Sequence, residues 1–229
     1  MRTTAWTMED GRLNILAVDT SGPVAGCAVM RDGAIAYTAA LRATGLRCAD
    51  MDVFAAVVGP GSFTGVRIGV CMVKGFAHAA GKPCCAVNAL QALSLNLAGF
   101  DGLVCPVLDA RRGQAYCAAF DVSAGMPVRV AQDAALPLTA FLESLPRDGR
   151  LAFVGDGVPA YADAVRAALG ARAFVPPPNL CDLRADAVCA LAARHPEAWM
   201  APAQLKPYYL RAPQAERERA ARLQKEAGA

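Results

Sequence analysis

The sequence predicts an α/β protein of two lobes made from a repeated unit, on three observations. Apolar runs of strand length alternate with stretches whose apolar residues recur at helical spacing. Two of those runs, LAVDTSG (Leu16–Gly22) and PVLDARRG (Pro106–Gly113), each place a carboxylate where a buried strand ends, and each leads into a strand pair. Such internal similarity predicts two lobes facing a cleft. A glycine-rich turn within GPGSFTGVRIG (Gly59–Gly69) joins an apolar run to a helix start.

LNILAVDTS (Leu13–Ser21), the first element, has the continuous apolar character of a strand buried on both faces. GCAVMRDG (Gly26–Gly33) is a second strand, Asp32-Gly33 a hairpin turn, and Ala34–Arg42 the returning strand. VFAAVVGPG (Val53–Gly61) is a fourth. Thr64–Ala80 is a helix with Thr64 as N-cap, Gly81 as terminator and Val66, Val70, Val73 and Ala77 on its inner face. Pro83–Leu90 is a short strand running into a helix over Ala89–Ala98, and Gly99–Gly102 marks a lobe boundary. Beyond it, residues 103–122 give two strands around the polar turn Asp109–Gln114. Pro137–Leu145 is a short helix, Leu151–Gly157 a strand, and Val158–Leu169 and Asp182–Ala193 are helices. Prolines 176–178 bar helix and central strand. The expected division is residues 1–98, 99–211 and a charged, Ala-rich tail, 212–229.

Composition excludes several function classes. With 55% hydrophobic and 19% charged residues the chain reads as globular, and a net charge of +3 does not by itself imply a nucleic-acid surface. No apolar run reaches the roughly 18 residues a membrane helix needs. MRTTAWTMEDGRLN lacks the apolar core of a secretory leader, so a cytoplasmic location is expected. Nine cysteines without a C-x-x-C spacing fit a reducing compartment and structural packing. The only two histidines, His78 and His195, form no short metal motif, and no G-x-S-x-G elbow occurs. A Walker A loop is also excluded, because Gly65 is followed by Val66 and Arg67 rather than Lys and Ser or Thr.

What remains is a set of strand-end features. Asp19, Asp109, the Gly59–Gly61 turn and the Gly155–Gly157 turn all lie where open α/β sheets bind ligands. With Thr20, Ser21, Ser62 and Asp156 they are the candidate nucleotide cleft. A carboxylate there can hold hydrated magnesium beside phosphate, and glycine turns let backbone N–H groups approach an anion. The competing reading is structural: Gly59, Gly61 and Gly65 serve backbone geometry and close packing, and Asp19 caps its own turn. Arg67, on the first helical turn, pairs with a carboxylate, a phosphate or solvent.

ILAVDTS, GPGSFTGVRIG, LDARRGQAY, GDG and PYYLR, in this order from about Leu13 to Arg211, resemble the TsaB family, also called YeaZ. The resemblance implies an actin-like, Hsp70-like and sugar-kinase-like fold of two lobes, from a duplicated ribonuclease-H-like unit. It implies a scaffold role in making threonylcarbamoyladenosine in tRNA, beside a catalytic paralogue, TsaD, and an ATPase, TsaE, with tRNA reached through the complex. The paralogue holds its metal through a histidine pair that this chain lacks, so no catalytic residue and no metal ligand is expected here. The partner surface implied is the 64–80 helix, with Thr64, Arg67, Ile68, Cys71, Met72 and Gly75 as contact residues. A homodimer through that face is the alternative occupant. ATP with magnesium, at the lobe interface or shared with the partners, is the candidate cofactor. A phosphotransferase or ATPase acting through Asp19 and Asp109 is the alternative function.

The sequence departs from the family in one place. The family carries a long helix between its third and fourth strands, where this chain has only the twelve residues Leu41–Asp52. In the family's strand order that connection must shift sideways by about 14 Å and run back along a strand of roughly 17–20 Å. Twelve extended residues reach roughly 40 Å, whereas ten in a helix span about 15 Å. The connection therefore reads either as an extended thread or as a sequence lacking residues between about Arg42 and Gly45.

Overall fold

The computed structural model describes residues 13–22, 26–31, 34–37 and 46–211. The Asp32-Gly33 turn, residues 38–40 of the expected returning strand, residues 41–45 of the short connection and the tail 212–229 lie outside the described residues.

Among the described residues, ten strands form two five-stranded sheets of one topology. In the first, β1 (Asn14–Asp19) is central. β2 (Gly26–Arg31) is antiparallel to it and β3 (Ala34–Tyr37) antiparallel to β2, while β4 (Val53–Gly59) and then β5 (Cys84–Asn88) lie parallel on the other side. The second sheet repeats this around β6 (Leu103–Asp109). β7 (Ala115–Asp121) and β8 (Val128–Leu136) are antiparallel on one side, and β9 (Leu151–Val154) and β10 (Ala173–Phe174) parallel on the other. The equivalence of β1 and β6 is the duplication expected from the two carboxylate-ended runs.

Among the described residues, five helices fill three layers. α1 (Phe63–Ala80) comes after β4, α2 (Ala89–Ser94) after β5, α3 (Leu138–Ser144) before β9, α4 (Val158–Leu169) after it, and α5 (Ala185–Arg194) after β10. Between the sheets, α2 packs on β6 and β7 while α5 packs back on β1 and β2. This inner core takes Ile15 and Ala17 from β1 and Val53, Ala55 and Val57 from β4. The alternate residues, Leu16, Val18, Phe54, Ala56 and Val58, face outward beneath α1. Both faces are apolar, which is why these strands read as continuous runs. On α1, Val66, Val70, Val73 and Ala77 fill the outer core. Burial of each valine, at most 3% exposed, contributes on the order of 1.5–3 kcal/mol. α3 and α4 cover the second sheet in the same way.

Several boundaries differ from the sequence reading. Ser62, not Thr64, caps α1: its Oγ accepts from Gly65 N–H at 3.3 Å and its carbonyl from Val66 N–H at 2.8 Å, so the helix begins at Phe63. The helix from Ala89 gives way at Leu95 to a 3-10 turn, and α5 begins at Ala185, after an extended Arg184. β8 has no counterpart in the sequence reading. It is a half-exposed edge whose Arg129, Gln132 and Asp133 interrupt the apolar pattern.

The passage from β3 to β4 crosses β2 and β1, the two intervening strands expected from the family's order. Its described end is a 3-10 turn, Cys48–Asp50, pinned where Asp52 N–H donates to the Asn14 carbonyl at 2.8 Å.

Gly59 and Gly155 close equivalent strands at φ 120° and 119°. A Cβ at Gly155 would collide with the Val107 carbonyl. Gly155→Ala is expected to destabilise the protein by at least about 2 kcal/mol, from backbone strain and the collision together, read by chemical denaturation.

Candidate functional site

A cleft of about 660 Å³ opens between the sheets' carboxyl ends. Of the residues expected there, Ser21, Gly61, Ser62, Asp109 and Asp156 line it. The others lie behind its wall. Thr20 turns its hydroxyl to the Gly65 carbonyl at 2.6 Å. Gly59 seats against the Tyr208 carbonyl, where a Cβ would come within 2.5 Å, and Gly155 against Val107. Asp19, 1% exposed, borders a separate recess of about 20 Å³.

The polar groups of these turns are engaged with one another. Asp19 Oδ1 accepts from Ser21 N–H at 2.8 Å and from Ser21 Oγ–H at 2.6 Å. Asp109 Oδ1 accepts from Arg111 N–H at 2.8 Å, the equivalent turn in the second repeat. Asp156 Oδ1 takes the Asp109 N–H at 3.0 Å. Ser62 N–H donates to the Ser21 carbonyl at 2.7 Å, and Gly157 N–H to the Val107 carbonyl at 3.1 Å. A Cβ on Gly61 would lie 2.5 Å from that same Ser21 carbonyl.

These residues do not fit the magnesium and triphosphate clamp that actin-like folds imply. Two backbone donors of the glycine turns, Ser62 N–H and Gly157 N–H, are taken within the protein, and Asp19 borders the small recess rather than the large cleft. Its Oδ2 is buried without a partner beside a recess with room for about one water, not for a hydrated magnesium. Burial raises the Asp19 carboxyl above its usual range, with the two Ser21 hydrogen bonds opposing the shift. Among the described residues no group of three or more His, Cys, Asp or Glu is placed to hold a metal. Burial pushes the thiols of Cys85, Cys117 and Cys189 up to about 12, in keeping with packing cysteines.

One wall of the cleft is absent from the sequence reading. The segment ending PYYLR supplies Tyr208, Tyr209, Leu210 and Arg211. It is tied to the first lobe by Tyr208 N–H donating to the Val58 carbonyl at 2.7 Å and to the second by Arg211 Nη1 donating to Ala110 O at 3.3 Å. Asp133, buried on β8, accepts from Asn88 Nδ2 and pairs with Arg129, and burial together with Asp133 pushes the Tyr208 phenol up. Only the paired tyrosines after Pro207 hint at this wall.

The second surface is the outward face of α1. Thr64, Arg67, Ile68, Cys71, Met72 and Gly75 are all exposed on it. Ile68, Met72 and Phe76 are 50%, 43% and 37% exposed, an apolar stripe of one helix face. Phe76 is not among the expected contact residues, though it continues the same spacing. The glycines of this helix divide. A Cβ at Gly65 would collide with the Thr20 carbonyl and one at Gly69 would lie 2.6 Å from Thr20 Oγ1, whereas one at Gly75 would meet nothing within 4 Å. Arg67 sits with its guanidinium 3.9 Å from the Phe63 ring centroid and donates from Nε to Tyr209 OH at 2.8 Å.

Comparison with known proteins agrees with this architecture. A protein-family profile described as TsaD, tRNA N6-adenosine threonylcarbamoyltransferase, matches residues 34–216. The tRNA threonylcarbamoyladenosine biosynthesis protein TsaB of Bacillus subtilis is 31% identical over 182 residues, covering 71% of this chain and 80% of that protein. The tRNA N6-adenosine threonylcarbamoyltransferase of Agrobacterium fabrum is 42% identical over 69 residues, 30% of this chain and 19% of that one. The solved structure of YeaZ from Pseudomonas aeruginosa superposes with a TM-score of 0.73 at 24% identity, covering 86% of this chain and all of that one (100%). The fold is therefore the actin-like, two-lobed class built from a duplicated ribonuclease-H-like unit. Within that class the chain belongs to the TsaB (YeaZ) family of tRNA threonylcarbamoyladenosine biosynthesis proteins. Among the described residues no helix is long and apolar enough to cross a membrane.

The buried Asp19 gives a pH test. A carboxyl whose folded pKa is raised binds its proton more tightly in the native state, so stability falls as pH rises from the ordinary carboxylate range through the raised value. Asp19→Asn keeps an acceptor for Ser21 and removes the buried charge. Its melting temperature is expected to equal or exceed that of the parent at neutral pH, with the difference shrinking toward acid, measured by thermal denaturation across pH.

Proposed function

We propose that this chain is a non-catalytic scaffold and activator subunit of a tRNA threonylcarbamoyladenosine-forming complex. It docks a TsaD-like catalytic paralogue, and with it a TsaE-like ATPase, on the outward face of α1. The assembly would act on tRNA in the cytoplasm, with tRNA held through the complex.

The observation that carries this reading is Gly75. A mid-helix glycine costs about 1 kcal/mol of helix propensity relative to alanine. Gly65 and Gly69 are required by contacts to Thr20 within the chain, but Gly75 faces open space, between Met72 and Phe76 on the apolar stripe. A small residue at that position lets a second backbone approach closely, and the exposed Ile68 and Met72 beside it supply apolar surface to bury. The engaged polar groups of the strand-end turns support a structural rather than a catalytic use of Asp19 and Asp109.

Reconstitution tests the whole reading. Modified tRNA is expected to form when this chain is added to its paralogue and ATPase, and to fall to background when it is omitted. Modification at full rate by the isolated chain would refute it. Gly75 tests the surface. Gly75→Ala is expected to raise unfolding free energy by about 0.5–1 kcal/mol. Gly75→Leu or Met72→Glu is expected to leave folding intact and weaken paralogue binding by about tenfold or more, read by calorimetry. Self-association through the same face, with no paralogue binding, would assign the surface to a second copy instead.

A further inference from the structure

We propose that the mouth of the cleft is a platform for an unpaired stretch of RNA, with one base lodged against Tyr208 and Tyr209 and its flanking phosphates on Arg111 and Arg211. The proposal is independent of docking on α1 and is tested on the isolated full chain.

The geometry supplies each part. A volume of about 660 Å³ falls within the range of sites that take small-molecule-sized groups. Tyr208 and Tyr209 line it and remain 41% and 38% exposed. Tyr209 is held in place by the Phe63 ring at 5.0 Å and by the Arg67 Nε donor. Such fixed aromatic surfaces stack any base. Arg111 also lines the cleft; its side chain is 87% exposed and stands 3.5 Å from Asp109 Oδ2. Both it and Arg112 hold φ near 60°, at 64° and 56°, a conformation that non-glycine residues rarely adopt. Arg211 stands at the lobe junction, on the Ala110 carbonyl.

The charges order the ligand. Asp109 and Asp156 line the cleft, where they repel phosphate and accept hydrogen bonds from exocyclic amino groups of a base. The phosphates therefore stay outside, on the arginines. A free nucleoside triphosphate is disfavoured, since Asp109 and Asp156 repel its charge and Ser62 N–H and Gly157 N–H are already engaged. A duplex keeps its base faces stacked on one another and offers none to an aromatic ring.

The test is fluorescence anisotropy with a labelled A-rich single-stranded RNA of about ten nucleotides, a length spanning one such groove. The chain is expected to bind it with a salt-dependent affinity, and to bind the matching duplex, a U-rich strand and adenosine monophosphate at least about tenfold more weakly. Tyr208→Leu is expected to weaken binding by about tenfold or more, and Tyr208→Phe to retain it. Arg111→Gln, on an exposed loop that leaves the fold alone, should lower the slope of log affinity against log salt by about one. The proposal is overturned by no binding, by equal binding of duplex or U-rich strand, by displacement at similar concentrations of adenosine monophosphate, or by affinity unmoved in both Tyr208→Leu and Arg111→Gln.

Discussion

The contact between the β1 end-loop and the first turns of α1 governs both surfaces of this protein. Thr20 and Ser21 press onto Gly61, Gly65 and Gly69 so closely that no side chain fits at those positions. Thr20 Oγ–H reaches the Gly65 carbonyl and Ser62 N–H reaches the Ser21 carbonyl, so the packing is hydrogen-bonded as well as tight. This fixes where α1 starts, how it is rotated and which residues it turns outward. With Gly65 and Gly69 facing Thr20 and Val66, Val70 and Val73 facing the sheet, the remaining arc carries Ile68, Met72, Gly75 and Phe76. The apolar stripe is a consequence of how the helix is seated.

The same contact determines the character of the cleft. In a phosphate-binding turn the backbone donors point at the ligand. Here Ser62 N–H points at the Ser21 carbonyl and Gly157 N–H at the Val107 carbonyl, and the carboxylates that end β1 and β6 each accept from the residue two positions on. Glycine turns of one appearance can thus serve opposite ends: open, they cradle an anion; closed on each other, they hold a helix. The second repeat shows the closed form too, with Gly155 and Gly157 against Val107. Two repeats arriving at one arrangement make it a property of the fold unit and not an accident of one loop.

Much of this is legible in the sequence, and the remainder is not, for identifiable reasons. The buried strands β1, β4 and β6 stand out because both of their faces are apolar. The edge strand β8 does not, because its residues alternate in exposure and include Arg129 and Asp133. Asp19 has two readings that only coordinates separate, since a carboxylate capping its turn and one awaiting magnesium look alike in sequence. The glycines of α1 are likewise indistinguishable as letters; what divides Gly69 from Gly75 is the presence of Thr20 next to one and nothing next to the other. The wall made by Tyr208–Arg211 depends on chain segments far apart in sequence, and local pattern carries no information about such contacts.

The two repeats differ at one seat, and the difference explains the role of the C-terminal segment. At Gly155 the space a Cβ would need is filled by Val107, from the central strand of its own sheet. At Gly59 it is filled by Tyr208, from the far end of the chain. The first lobe is therefore completed by a segment that also touches the second, through Arg211 on Ala110. Lys74 adds a further tie, donating from Nζ to the Leu205 carbonyl at 3.2 Å, while Leu205 itself is fully buried under α1. Arg67, stacked on Phe63 and bonded to Tyr209, joins this segment to the outward face of α1. The apolar stripe and the cleft wall thus share a small set of residues. A partner seated on that stripe would meet Arg67 at its edge, and through Arg67 the ring that borders the cleft.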